Sequence, residues 1–235
     1  MLSLGHGLNG IKALGEQLRL GLRSRQPLRR ESFLVSDCNA EAAARIDAWP
    51  GWTAPVLAVV GPAGSGKSHL AHAWAARAAA RVIGPDALNA VMDGPLVIED
   101  VDRALADERL FHLLNRTTDP ARGVLFTART RPADWACALP DLRSRLNALP
   151  VVELGDPDDG VLAGALRRLF EERVLTPPSE LIAYLVARME RSVPAAAALV
   201  DRLEAAHVEQ RRPLNRALAR ELLAGSKPSV AGEEP

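Results

Sequence analysis

Gly61-Pro62-Ala63-Gly64-Ser65-Gly66-Lys67-Ser68 reads G-x-x-x-x-G-K-S. The apolar run Val56-Leu57-Ala58-Val59-Val60 precedes it, and a helical pattern opening His69-Leu70-Ala71 follows. Strand, glycine-rich turn and helix N-terminus form the context in which this spacing binds phosphate. Glycine places no Cβ between the backbone N–H groups and the phosphate oxygens. The helix dipole and the unpaired N–H groups of the first turn add positive field. Lys67 is expected to reach the outer phosphates, and the Ser68 hydroxyl to meet Mg²⁺. The stretch predicts an α/β fold built around a nucleotide site.

Working outward, Leu96-Val97-Ile98 is an apolar strand that ends in Glu99-Asp100. Acids at that point, downstream of a phosphate loop, suit holding Mg²⁺ and orienting water. Val124-Leu125-Phe126-Thr127 is a further buried strand, with Thr127 placed to bring a hydroxyl near a nucleotide. Arg81-Val82-Ile83 and Val151-Val152-Glu153-Leu154 complete the strand set. Phe33-Leu34-Val35 is an apolar anchor before a helix over about 39–49, with Ser36 or Asp37 as its cap and Pro50 as its stop. Helices are also predicted from the phosphate loop to about Ala79 and over about 107–118.

Past Asp156-Pro157 strand signals cease. Helices are predicted at about 157–174, 178–190, 194–210 and 213–223, with prolines suited to their first turns. The expected organisation is a flexible arm over 1–32, an α/β domain over 33–155, a helical domain over 156–223 and a disordered tail over 224–235. In the arm, leucines alternate through Gln17-Leu18-Arg19-Leu20-Gly21-Leu22, a pattern that lets an extended peptide lay one apolar side in a groove. Arg19, Arg23, Arg25, Arg29 and Arg30 surround it, and composition alone favours a solvated basic arm.

Lys+Arg and Asp+Glu both total 29 over 235 residues, so the net charge is zero, which argues against a general DNA-coating protein. Cys38 and Cys137 stand far apart without a C-x-x-C, so neither a disulfide framework nor a zinc site is expected, and a reducing cytoplasm fits. No signal peptide and no membrane-spanning run is read. His69 and His72 lie three apart on one helix without an evident third metal ligand.

The phosphate loop, acidic strand end, Thr127 strand, the box Leu139-Pro140-Asp141-Leu142-Arg143-Ser144-Arg145-Leu146 and the helical C-terminal part occur in the order of an AAA+ module. Phe33-Leu34-Val35-Ser36-Asp37-Cys38-Asn39 resembles the leading segment of the DnaA-related family, and the Leu139–Leu146 box resembles that family's arginine-finger box. Gln17 to Leu22 resembles the sliding-clamp-binding hexapeptide of the Hda proteins, and the closest likeness is to those of alphaproteobacteria. The resemblance covers about residues 17–223. It implies a parallel sheet flanked by helices with a small helical lid, binding ADP or ATP with Mg²⁺. It also implies a protein that joins the DNA-loaded clamp and promotes hydrolysis of ATP held by DnaA, a negative regulator of replication initiation.

Carried over residue by residue, the resemblance puts Gln17, Leu18, Leu20 and Leu22 on the clamp, and Phe33 and Val35 near adenine. It puts Gly61, Pro62, Ala63, Gly64, Ser65, Gly66, Lys67 and Ser68 on phosphates, with Thr127 nearby. Glu99 and Asp100 take the Walker B position, with Ser68 and Glu99 toward Mg²⁺. Arg145 is the finger acting in trans, and Arg143 its basic neighbour. No sequence-specific DNA binding and no membrane are expected, and a homo-oligomer is allowed.

The chain departs from the family pattern at several points. Gly21 replaces the usual hexapeptide proline, the acid pair runs Glu-Asp rather than Asp-Glu, and Pro194 stands where a lid arginine is expected, with Arg191 close by. The strand end reads Thr127-Ala128-Arg129, where DnaA carries an acid near the third position. These departures bear on turnover by the chain itself, expected to be weak or absent. The alternatives are a self-contained AAA+ ATPase of the helicase-loader type and an inert scaffold whose nucleotide only stabilises the fold.

Overall fold

A computed structural model of the chain describes residues 28–88, 94–104 and 107–225. Five strands form one parallel sheet: β1 (Val56–Val60), β2 (Arg81–Ile83), β3 (Leu96–Ile98), β4 (Val124–Ala128) and β5 (Val151–Glu153). Their spatial order is β2-β3-β4-β1-β5. All residues of β1, β3 and β4 are buried, as expected for parallel strands covered on both faces.

The strand period of two divides the core. Leu57 and Val59 of β1 face α1 (Ala40–Asp47) and α2 (Lys67–Ala78), where Ile46, Leu70 and Trp74 pack. Val56, Ala58 and Val60 face the opposite side, toward Leu110 and Leu114 of α3 (Asp107–Arg116) and Leu142 and Leu146 of α4 (Pro140–Ala148). Each of the buried valine, leucine and isoleucine side chains stabilises by about 1.5–3 kcal/mol through removal from water.

A third core belongs to α5 (Asp159–Glu171), α6 (Ser179–Val186), α7 (Val193–Val208) and α8 (Arg216–Ala224). Leu162, Leu166 and Phe170 recur every four residues on α5 and meet Leu181, Leu185, Leu199 and Leu203. Arg173, after α5, pairs with Asp201 and Glu204 of α7. Asp158, Ser192 and Asn215 cap α5, α7 and α8 by accepting from Val161, Ala195 and Leu218 N–H.

The sequence-based boundaries shift where caps decide them. α8 begins at Arg216 because Asn215 caps it, leaving Pro213 outside the helix. α1 is preceded by Asn39 rather than capped by Ser36 or Asp37. The Asn39 side chain instead accepts from Ser36 N–H at 2.9 Å and donates to Leu34 O at 2.9 Å, shaping the 34–39 turn.

That turn grips the link between sheet and bundle. Leu154 N–H donates to Val60 O at 2.8 Å, and Gly155 N–H to Cys38 O at 3.0 Å. The Ser36 hydroxyl donates to the Asp158 carboxylate, which also caps α5. This hydroxyl bond, followed by the Val161 N–H bond, holds the Asp158 pKa below the usual carboxylate value. A depressed folded-state pKa contributes stability above the unfolded value, near pH 4, and loses it as pH falls through the folded one. Asp158→Asn is therefore expected to flatten the acid limb of a urea-midpoint-versus-pH curve below about pH 4. An unaltered limb would show that the link does not use this charge.

Candidate functional site

The chain leaves β1 at Val60, turns over residues 61–66 and enters α2 at Lys67. Gly64 and Gly66 have φ of +79° and +100°, a region L side chains rarely adopt. The loop is held by its own lysine: Lys67 Nζ donates to Gly61 O and Pro62 O, each at 2.7 Å. Burial pushes the Lys67 pKa down, Asp100 and Asp102 pull it up, and Arg129 pushes it down further. The Ser65 hydroxyl is buried without a hydrogen-bond partner.

A cavity of about 440 Å³ opens between this loop and the helical bundle. Gly64 to Ser68, Asp100 and Arg129 form its polar end. Phe33, Leu34 and His69 form its other end with Val161, Ala165 and Leu169 of α5. Val193 and Pro194 of α7 close over the loop, and a Cβ on Gly64 would stand 2.6 Å from the Ser192 Cβ. The volume lies within the ~300–1,000 Å³ range of small-molecule pockets. A left-handed glycine cradle, an orphaned buried hydroxyl and a lysine fit a nucleoside phosphate, and Ser68 with Asp100 supplies oxygen donors of the kind Mg²⁺ takes.

The acid pair divides. Asp100 adopts left-handed backbone (φ 52°), lines the cavity and pairs with Arg103 at 3.1 Å. Its N–H donates to the Thr127 hydroxyl at 3.0 Å, so buried Thr127 orients the acid and does not itself line the cavity. Glu99 turns to His72 Nε2 at 3.2 Å and keeps one buried carboxylate oxygen without a partner. His69 and His72 thus serve different neighbours, and no group of three or more His, Cys, Asp or Glu that could hold a metal occurs among the described residues.

At the apolar end Phe33 is buried and meets the His69 ring edge-on at 5.4 Å. Val35 is 50% exposed and does not line the cavity; Leu34 takes that place, packed where a Cβ on Gly164 would lie 2.7 Å from its Cδ1. A strap over residues 29–32 crosses the mouth. His69 Nε2 sits 3.0 Å from both Arg29 O and the Ser32 hydroxyl, and Arg168 of α5 donates to Ser32 O at 2.9 Å. Because a carbonyl only accepts, Nε2 carries the proton toward Arg29 O. Burial depresses the His69 pKa and keeps the ring neutral near pH 7.

Arg145 projects from α4 and is exposed, its guanidinium 5.7 Å over the Phe111 ring. Arg143 donates to Ala133 O at 2.8 Å. Neither lines the cavity. Gln17, Leu18, Leu20 and Leu22 lie outside the described residues. Leu34 was marked only as part of the apolar anchor, and Asp102 and Arg168 had no motif to mark them: Arg168 sits 100 residues beyond the phosphate loop and lines the cavity only because α5 folds back over it.

No protein-family model matches the sequence. Among solved structures the chain is similar to domain III of the Thermotoga maritima replication initiation protein DnaA, at TM-score 0.72 and 18% identity over 85% of this chain and 97% of that one. It is similar to AMPPCP-bound DnaA from Aquifex aeolicus, at TM-score 0.66 and 18% identity over 83% and 70%. It is also similar to the Thermotoga maritima RuvB Holliday junction branch migration motor, at TM-score 0.64 and 17% identity over 85% and 72%. The chain shares the fold of these proteins: a parallel five-stranded sheet between helices, with a helical bundle behind it.

Gly64→Ala is expected to destabilise the chain by about 1–2 kcal/mol, because a Cβ is strained in left-handed backbone. Urea unfolding would measure it. An unchanged midpoint would mean that loop and bundle yield at this contact.

Proposed function

We propose that this chain is a nucleotide-bound regulator of chromosomal replication initiation. It docks on the DNA-loaded sliding clamp and promotes hydrolysis of ATP held by DnaA. The observation that carries this reading is the position of Arg145: exposed on α4, apart from its own cavity, and free to enter a neighbour's. A guanidinium delivered across a subunit boundary stabilises charge spreading over the transferring phosphoryl group, a contribution of ~10³–10⁵ in related switches. Arg143, anchored to Ala133 O, stiffens the same helix and adds positive charge toward an ATP-bearing partner.

The cavity takes ADP or ATP. The loop N–H groups and Lys67 hold phosphates, Phe33 and Leu34 meet the base, and Ser68 and Asp100 face Mg²⁺, which would neutralise phosphate charge. Glu99, the other candidate metal ligand, is tied to His72 and must leave that pair to reach a metal. Thr127 is occupied by Asp100 N–H, and Pro194 brings no cation to the phosphates. These features fit retention of nucleotide better than its turnover. We take residues 33–155 as the nucleotide-binding domain and 156–223 as its lid. The bound nucleotide sets the angle between them and thereby the presentation of Arg145. Gln17, Leu18, Leu20 and Leu22 are the proposed clamp contacts, and the cytoplasm the place of action.

The test combines the protein, loaded clamp and ATP-bound DnaA and follows ADP formation. Arg145→Ala is expected to leave clamp binding intact and to lower stimulated hydrolysis on the order of 10³-fold. Leu20→Ala is expected to lose clamp binding. Stimulation unchanged by Arg145→Ala sinks the finger assignment. Steady turnover by this chain alone would favour the helicase-loader type of ATPase, for which the Thr127-oriented Asp100 at the cavity is the supporting observation.

A further inference from the structure

Two carboxylates line the cavity among the described residues, Asp100 and Glu172. Asp100 stands at the polar end and follows an acid-ended strand. Glu172 belongs to no motif. It ends α5, with its N–H donating to Arg168 O at 2.9 Å. Its Oε1 accepts from Arg168 Nε at 2.9 Å. Arg168 Nη1 donates in turn to Ser32 O at 2.9 Å, and the Ser32 hydroxyl lies 3.0 Å from His69 Nε2. His69 directly follows Ser68 of the phosphate loop. This run of contacts brings the Arg168–Glu172 pair from the bundle to the first turn of α2.

The neighbouring polar groups are already engaged. Both ends of the Asn39 amide close the 34–39 turn. The Ser32 hydroxyl donates to Arg29 O at 2.7 Å, and His69 Nε2 faces the same carbonyl. Glu172 Oε2 and Arg168 Nη2, by contrast, make no hydrogen bond among the described residues. One ion pair on the cavity wall thus keeps an acceptor and a donor open. A phosphate offers only acceptors and is repelled by a carboxylate, so Glu172 does not suit it. A hydroxyl needs both roles, since it carries one O–H donor and two lone pairs. In a nucleotide the sugar joins phosphates held at the loop to a base held at Phe33 and Leu34. Its hydroxyls therefore lie beside the turn that the pair reaches.

We infer that Glu172 and Arg168 are the ribose-binding pair of this cavity and make it selective for a ribonucleotide over its deoxy counterpart. The inference rests on the nucleotide reading of the cavity and adds the sugar to it. Glu172 Oε2 accepts from a ribose O–H, and Arg168 Nη2 donates to the hydroxyl oxygen. Such bonds to charged groups are stronger than neutral ones. A nucleotide without the hydroxyls leaves the open oxygen and N–H unpaired in a partly closed site, and that loss is the source of selectivity. The two side chains keep 34% and 31% of their surface in water, which holds the expected factor to the low end for charge-assisted bonds, roughly 10-fold.

The experiment is calorimetric titration of the full chain with ADP and 2′,3′-dideoxy-ADP, for wild type, Glu172→Ala and Glu172→Gln. The wild-type chain should bind ADP roughly 10-fold more tightly than the dideoxy nucleotide. Glu172→Ala should weaken ADP by about that factor and leave the dideoxy nucleotide within about 2-fold, abolishing the preference. Glu172→Gln keeps an acceptor without the charge and should retain part of it. Equal wild-type affinity for the two nucleotides would overturn the assignment. So would an equal loss on both in Glu172→Ala, which is what a contact to the base or a purely structural role through Arg168 and the strap would give. A wild-type chain that binds neither nucleotide would remove the nucleotide reading, and this inference with it.

Discussion

The backbone of Gly61 lies against the carbonyl of Leu154, and no side chain fits between them. A Cβ on Gly61 would come within 2.3 Å of that oxygen. The same Leu154, through its N–H, closes a 2.8 Å bond to the O of Val60, the residue before Gly61. The end of β1, which becomes the phosphate loop, is therefore locked to the end of β5, which becomes the link to the bundle. The 34–39 turn seals the other side of that link through Cys38 O and Ser36. The loop that would carry phosphates and the segment that aims the bundle share one piece of backbone, so a change at one is felt at the other through packed, low-compressibility contacts.

Opposite electrostatic tasks are separated within a few residues by the same means. Past the end of β3, the left-handed backbone at Asp100 parts the pair: Asp100 lines the cavity and Glu99 meets His72. Thr127, which carries a hydroxyl near the end of a buried strand, spends it on the Asp100 amide, since a buried hydroxyl without a partner would be costly. Asp102 does for the β4 exit what Thr127 does for the β3 exit, so the two strand ends hold each other. The Ser65 hydroxyl, one Glu99 oxygen and Asp102 Oδ1 remain buried without partners at the site, and the first two belong to segments marked by the motif.

Much of this was legible beforehand. The phosphate loop, the acid-ended strand, the four C-terminal helices and the buried strands come from spacing and periodicity, which act over a few residues and leave their mark in local sequence. Boundaries were less legible where a cap competed with a proline, as at Asn215 and Pro213. The apolar anchor at 33–35 was read correctly as apolar, but Leu34, not Val35, faces the cavity. Which of two neighbouring side chains points inward depends on the Asn39-closed turn, not on hydrophobicity.

The sequence by itself determined that a glycine loop joins a buried strand to a helix, that acids end a second strand, and that helices alone follow residue 156. Those are consequences of backbone freedom, side-chain period and capping, all local. Only the tertiary structure decided that β4 inserts between β1 and β3, that Glu99 leaves the site for His72, and that Arg129, Arg168 and Pro194 converge on one cavity. Strand order and convergence are set by which faces bury each other across long sequence separations. No window of neighbouring residues records that choice, because its energy arises only when the whole core closes.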